Sequence, residues 1–202
     1  MIPAVGYYTD HYQKEADQFA ASLDLLGIPY DLDRVDDRGT WLKNVQQKPE
    51  VILRFMTNHP DVPAFFYNDV DAIVLQSPDL FVQIADDGFD IAFHLLGGTE
   101  LLSGTLFFAN NDKTRDLVRR WVELICLHPL KLPDGSQSWD QRVLHYAIRE
   151  MDDLSIFDLP ESYVWIRDGI SGRHYGKNVE PVIVHTRASA RLTRRGDDSV
   201  RG

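Results

Sequence analysis

Two aspartates one residue apart, Asp69 and Asp71, follow the apolar run Phe65-Phe66-Tyr67 and precede another, Ala72-Ile73-Val74-Leu75. A buried strand that ends in two carboxylates places both at the rim of a sheet, where a bend in the backbone lets both approach one ion. Close carboxylates repel each other and hold protons more tightly unless a cation sits between them. The economical reading is a divalent metal site with oxygen ligands, suited to Mg2+ or Mn2+. Ions of that kind commonly hold a diphosphate. The competing reading is local: each Asp accepts backbone N–H bonds and caps a loop.

The elements that would carry this pair can be read from periodicity. Ala4 to Thr9 has the character of a first strand, ending at Asp10. Ala16, Phe19, Ala20, Leu23 and Leu26 recur at helical spacing, with Gly27 as C-cap and Pro29 blocking continuation. Tyr30-Asp31-Leu32 reads as a second strand. A β-α-β opening of this kind favours a right-handed crossover and a parallel sheet. Trp41 to Val45 follows, then a helix with Pro49 in its first turn and Val51, Ile52, Phe55 and Met56 on its apolar face. Ala64 to Asn68 is the strand that leads into the aspartates. Ser77-Pro78 predicts a helix start with Ser77 as N-cap and Leu80, Phe81 and Ile84 inside. Phe89 to His94 and Ser103 to Asn110 predict strands on either side of a Gly97-Gly98 loop. Leu117, Val118, Trp121, Val122 and Ile125 define one helix face, and Val143, Leu144, Ala147 and Ile148 another, separated by a loop from Leu130 to Ser138. Short strands are expected at Ile156-Phe157 and Val182 to Val184. The alternation predicts an α/β/α sandwich with a mixed, mainly parallel central sheet, in one domain over 1–190, followed by a polar, disordered tail over 191–202. Ligands in such folds bind at the carboxyl ends of the strands, where Thr9, Asp69 and Asp71 would lie.

The totals set bounds. The 202 residues suffice for one domain with a real core, and 44% hydrophobic residues is ordinary for a soluble chain. A net charge of −10 argues against a large nucleic-acid footprint. The single cysteine, Cys126, excludes an internal disulfide and a cysteine-based metal site, and is expected to be a small buried hydrophobe. No signal-like segment and no membrane-length apolar run is present, so a cytoplasmic location is expected, in a bacterial cell or an infected host.

The ordered series of the first strand with Thr9, Trp41 to Pro49, Asp69-Val70-Asp71, Gly104-Thr105-Leu106-Phe107-Phe108, Trp139-Asp140-Gln141 and Val184-His185 resembles the nucleotide-diphospho-sugar transferases of the GT-A (Rossmann-like) type, across Val5 to Ser189. The resemblance implies a metal-dependent glycosyltransferase that moves a sugar from a UDP-sugar, or a GDP-sugar, to an acceptor hydroxyl. It implies Tyr7, Tyr8 and Thr9 in the nucleotide pocket, and Asp71, Asp69 and His185 around Mn2+ or Mg2+, with Asp69 on the ribose or the metal's water. Lys48 would lie near the phosphates, with Arg187 or Ser189 as further donors. Gly104 would allow the sugar or acceptor close to the backbone, and Asp140 and Gln141 would sit by the reacting sugar. A carboxylate there suits the positive charge that develops at the anomeric carbon. Asp140 would be the base of an inverting reaction, or would stabilise or attack the cation of a retaining one, which the resemblance favours. The acceptor could be a glycan, a lipid head group, a protein or a modified nucleic-acid base.

Blander roles stand beside these. Asp140 could be a carboxylate that favours a helix N-terminus, and Lys48 a surface lysine. Trp41 and Trp121 are expected in the core, and His94 and His174 are weak ligand candidates. The arginines of the tail (Arg191, Arg194, Arg195, Arg201) suit solvent better than an anionic acceptor. Two other functions fit less of the chain: a nucleotide-sugar or metal-binding module without turnover, and a haloacid-dehalogenase-like phosphatase, in which Asp-x-Asp normally ends the first strand.

Overall fold

The computed structural model describes residues 1–167, 170–175 and 178–188; Ser189 and the expected tail over 191–202 lie outside the described residues. Strand β1 (Ala4–Tyr8) leads through a 3-10 turn (Asp10–Tyr12) into helix α1 (Gln13–Leu25) and then strand β2 (Tyr30–Arg34), which pairs parallel with β1. Gly27 closes α1 with φ of 66°, a backbone state open to glycine at no steric cost. Helices α2 (Trp41–Val45) and α3 (Lys48–Asn58) precede β3 (Ala64–Asn68). Then come β4 (Ala72–Val74), α4 (Leu80–Asp86), β5 (Ile91–Leu96) and β6 (Glu100–Ala109). The remainder is α5 (Asp112–Leu127), α6 (Asp140–Arg149), β7 (Ile156–Asp158), β8 (Trp165–Ile166), α7 (Ile170–Tyr175) and β9 (Ile183–His185).

Six strands form the main sheet in the order β2-β1-β3-β6-β5-β7. Of these six, β6 runs against the other five, so the sheet is mixed and mainly parallel, as expected. The continuous apolar run at Phe65-Phe66-Tyr67 is explained by burial on both faces. Phe65 and Tyr67 face a core with Ile52, Met56, Trp121 and Leu144 from α3, α5 and α6. Phe66 faces the opposite core, with Phe19 and Leu23 from α1 and Phe81 from α4. Helices thus cover both faces, and both central strands, β3 and β6, are closed to solvent over most of their length.

Several expectations are corrected. Helix α4 begins at Leu80 with Asp79 before it; Ser77 does not cap it, its hydroxyl donating instead to Asp79 Oδ1 at 2.5 Å. Strand β5 lies two residues later than expected and β6 begins at Glu100, because the two pair through a tight Gly97-Gly98 turn with both glycines at positive φ. On α5 the inward position is Leu124 rather than Val122, and Cys126 is exposed rather than buried. Trp121 is fully buried, but Trp41 is only half-buried and lines a cavity. The strand expected at Val182 to Val184 is β9, one residue later, and it pairs with β4 and β8 in a second sheet, β4-β9-β8, that was not anticipated. Among the described residues no helix is long and apolar enough to cross a membrane.

Candidate functional site

The carboxyl ends of β1 and β3 open on a cavity of about 350 Å³. Tyr7, Tyr8 and Thr9 from β1 and its end, Lys48 from the start of α3, Asp69 and Asp71 after β3, Gly104 from β6, and Asp140 and Gln141 from the start of α6 all line it. A smaller adjoining cavity shares Asp69, Asp71, Gly104 and Gln141 and adds His185 and Arg187. The fold therefore gathers every site residue expected from the sequence within the described chain at one end of the sheet.

At the floor of this site is a buried cation. Lys48 Nζ lies 2.6 Å from Asp140 Oδ2 and 3.0 Å from Asp69 Oδ1, with its side chain 3% exposed. It also donates to the carbonyl and hydroxyl oxygens of Ser103, each at 3.1 Å. Ser103 Oγ in turn donates to Asp140 Oδ2 at 2.7 Å. Burial by itself would lower the proton affinity of Lys48, but the fields and hydrogen bonds of Asp140 and Asp69 outweigh it and raise the pKa above the ordinary lysine value. Lys48 is thus neither at the surface nor free to neutralise a ligand by itself: two carboxylates already face it.

Asp69 shows the converse balance. Desolvation raises its carboxyl above the ordinary range, Lys48 opposes this, and Asp140 and Asp71 add to it. Its side chain is 41% exposed, but the exposure is into a concave site with protein on every other side. Tyr67 donates its hydroxyl to Asp69 Oδ1 at 2.9 Å. Burial first, and then Asp69, push the Tyr67 phenol well above its usual value, so it stays a neutral donor. Tyr7 is raised in the same way, by burial and then Asp140 and Asp69, and its hydroxyl donates to Asn44 O at 2.9 Å. That bond ties α2 to the end of β1.

Asp140 occupies the first turn of α6, where a carboxylate favours the helix dipole, and its carbonyl accepts from Trp121 Nε1 at 3.0 Å. The helix-terminal placement and the cavity-facing carboxylate belong to the same residue. Gln141 Nε2 donates to Glu100 Oε1 at 3.1 Å.

The second carboxylate is positioned by the small sheet. Strand β9 pairs with β4 so that Ala72 meets His185. Asp71 Oδ2 accepts from Ala188 N at 2.8 Å, and Asp71 O from Thr186 N at 2.9 Å. His185 Nε2 is held by Thr105 Oγ1 at 2.9 Å, itself bonded by Asn68 Nδ2 at 2.8 Å. This leaves His185 Nδ1 facing Asp71 Oδ1 at 3.8 Å. That separation is too long for a hydrogen bond and lies within the span of two ligands each about 2.1 Å from one ion. Among the described residues no three His, Cys, Asp or Glu side chains are gathered closely enough to hold a metal as they stand. The donor chemistry of Asp71 and His185, with a second hydrogen bond fixing the far side of the imidazole, is nevertheless what a divalent ion uses.

Gly104 faces this group. A Cβ there would lie 2.9 Å from His185 Cε1, 3.2 Å from its Nδ1 and 3.4 Å from Asp69 Oδ2. The glycine therefore makes room for His185 itself, where the sequence reading gave that space to the sugar or acceptor. Sequence reasoning missed Tyr67, Ser103, Thr105, Trp41 and Glu100 as site residues. Ser103 and Thr105 flank Gly104 on β6, and Tyr67 precedes the first aspartate by two positions, so strand alternation was the available signal.

No protein-family model matches the chain, and no curated protein sequence does. Solved structures do. A glycosyltransferase involved in glycosylation of the major capsid of PBCV-1 superposes with a TM-score of 0.71 at 13% identity, covering 97% of both chains. The galactosyltransferase LgtC, solved with donor and acceptor sugar analogues, gives 0.58 at 12% identity over 93% of this chain and 87% of its own. Mouse xyloside xylosyltransferase 1 gives 0.53 at 10% identity over 93% and 98%. The chain shares the α/β fold of these GT-A-type proteins, as the order of its motifs implied.

Proposed function

We propose that this chain is a metal-dependent glycosyltransferase that takes its sugar from a nucleoside diphosphate, UDP ahead of GDP. The observation that carries the proposal is that Asp69 and Asp71 line both of two adjoining cavities at the carboxyl ends of the strands, with the Lys48–Asp140 pair in one and His185 in the other. A fold shared with glycosyltransferases supports it.

Asp71 and His185, with Asp69 beside them, would hold Mn2+ or Mg2+. Such an ion, when bound, neutralises charge on a leaving diphosphate. Tyr7, Tyr8 and Thr9 bind and orient the nucleoside along the end of β1. Lys48 acts differently from a free phosphate ligand: it fixes Asp69 toward the metal side and Asp140 toward the sugar side of one floor. A carboxylate held in that way stabilises positive charge developing at the anomeric carbon. Asp140 has this role, and Gln141 beside it orients the ring. Asp140 already accepts from Lys48 and Ser103, which suits electrostatic stabilisation better than abstraction of an acceptor proton. A retaining outcome follows from that reading.

The test is thermal stability with UDP, GDP, ADP and CMP, each with and without Mn2+. The expected result is stabilisation by one nucleotide only when metal is present, by about 2.7 kcal/mol at a hundred times Kd. Slow metal-dependent hydrolysis of the matching nucleotide sugar then separates an enzyme from a binding module. No shift with any nucleotide at saturating metal overturns the proposal.

A further inference from the structure

The two oxygens of Asp69 are held differently. Oδ1 is taken twice: Lys48 Nζ lies 3.0 Å from it, and the Tyr67 hydroxyl donates to it at 2.9 Å. Oδ2 lies 3.4 Å from the point where a Gly104 Cβ would stand, and the His185 ring borders the same point, with Nδ1 at 3.2 Å. Oδ2 is therefore the oxygen on the side of the smaller cavity, which Asp69 lines together with Asp71 and His185. Of the two anchors on Oδ1, Lys48 is divided, because the same Nζ serves Asp140 and both oxygens of Ser103. The Tyr67 hydroxyl has Asp69 as its only hydrogen-bond partner among the described residues.

Tyr67 is also placed rigidly. It precedes Asp69 by two positions at the end of β3, so alternation puts both side chains on one side of the chain. Its side chain is fully buried in the core with Ile52 and Met56. The Tyr7 ring lies beside it, centroids 6.3 Å apart, and Lys48 Nζ sits over it, 5.0 Å from the ring centroid. A packed phenol delivers its O–H to one spot, whereas a lysine reaches its partners on a flexible stem. We propose that Tyr67 is a positioning residue for the metal site: its hydroxyl, by occupying Asp69 Oδ1, leaves Oδ2 as the oxygen that meets a divalent ion beside Asp71 and His185. Without that bond the carboxylate can rotate, and part of the ion's binding energy is spent on restoring it. The inference rests on the metal-dependent reading and adds to it a residue that acts on the ion only through Asp69.

The experiment titrates Mn2+ alone into the full chain by calorimetry and follows thermal unfolding in EDTA in parallel. Tyr67→Phe keeps the buried ring and removes only the hydroxyl. The matched control is Tyr163→Phe, which also removes one hydroxyl from a buried tyrosine, the acceptor of Leu80 N at 3.1 Å in the opposite core. Each variant is expected to unfold about 2–4 °C below the parent, as the loss of one hydrogen bond predicts. Only Tyr67→Phe is expected to weaken Mn2+ binding, by about tenfold, the low end for a group that holds a metal ligand from behind. A hydroxyl with a purely structural role would lower the unfolding temperature and leave the Mn2+ affinity alone. Parent-like Mn2+ affinity in Tyr67→Phe therefore overturns the inference and leaves the metal-dependent reading intact. An equal loss of affinity in Tyr163→Phe also overturns it, because the effect would then be a general loosening of the fold. A parent chain that takes up no Mn2+ at millimolar concentration overturns the inference together with the reading on which it rests.

Discussion

Replacing Lys48 by methionine keeps the length and apolar body of the side chain and removes its charge. Two carboxylates are then left facing each other across the floor of the site. Asp140 is the more costly of the two, being 8% exposed against 41% for Asp69. Removing one partner of a buried ion pair costs about 3–5 kcal/mol. Because Asp69 can turn toward water and Ser103 still donates to Asp140, the lower end, about 3 kcal/mol, is expected. Urea melts in EDTA at pH 7.5 would show this as a midpoint lowered by about 1.5 M, taking about 2 kcal/mol per M for the slope. The pH dependence gives a second, sharper reading. Asp69 already holds its proton more tightly than an ordinary carboxyl because of burial, and Lys48 opposes that rise; without Lys48 the folded state binds still more proton at Asp69 than the unfolded chain does, and stability falls as pH rises. The deficit of Lys48→Met should therefore shrink between pH 7.5 and pH 5. In the parent chain Lys48 itself has a raised pKa; its contribution is fully present below the unfolded lysine value and is lost only as pH climbs through the folded one, above about 10.4. The double variant Lys48→Met with Asp140→Leu should recover most of the loss. A single variant within about 1 kcal/mol of the parent, with no recovery in acid, would refute the idea that a buried charge organises this site.

Three further outcomes can be checked. Gly104→Ala pushes a methyl group to 2.9 Å from the His185 ring, so metal-dependent nucleotide binding, measured by calorimetry, should fall at least about tenfold while metal-independent binding changes little. Asp71→Asn retains an oxygen for Ala188 N but loses the charge; it should melt within about 1 kcal/mol of the parent and show no Mn2+-dependent nucleotide stabilisation, and stabilisation equal to the parent's would remove Asp71 from the metal site. Cys126 is exposed near the end of α5 and should react stoichiometrically with a thiol reagent in native buffer; reaction only in denaturant would place it inside.

Much of the scaffold was legible because each signal was local. Gly27 with Pro29 ended α1, and Pro49 opened α3. The apolar run at Phe65-Phe66-Tyr67 marked a strand covered on both faces. Where local signals competed, the reading slipped. Ser77-Pro78 has the composition of a helix start, yet the chain turns once more before α4. Cys126 follows Val122 by four positions, and both lie off the face of α5 that Leu117, Trp121, Leu124 and Ile125 turn into the core.

By itself, then, the sequence determined the α/β alternation and placed Asp69 and Asp71 at a strand end, because periodicity and strand termination are properties of consecutive residues. Only the tertiary structure decided what those aspartates face. Lys48 and Asp140 are far apart in the chain and became a 2.6 Å pair only when α3 and α6 packed on the same face of the sheet. His185 reached Asp71 through the pairing of β9, whose strand the sequence marked at Val182 to Val184, with β4, which it did not mark. The corner of Trp41 and Trp139 likewise required two helix starts to meet. Contacts of that separation depend on how the elements pack, and no local pattern encodes them.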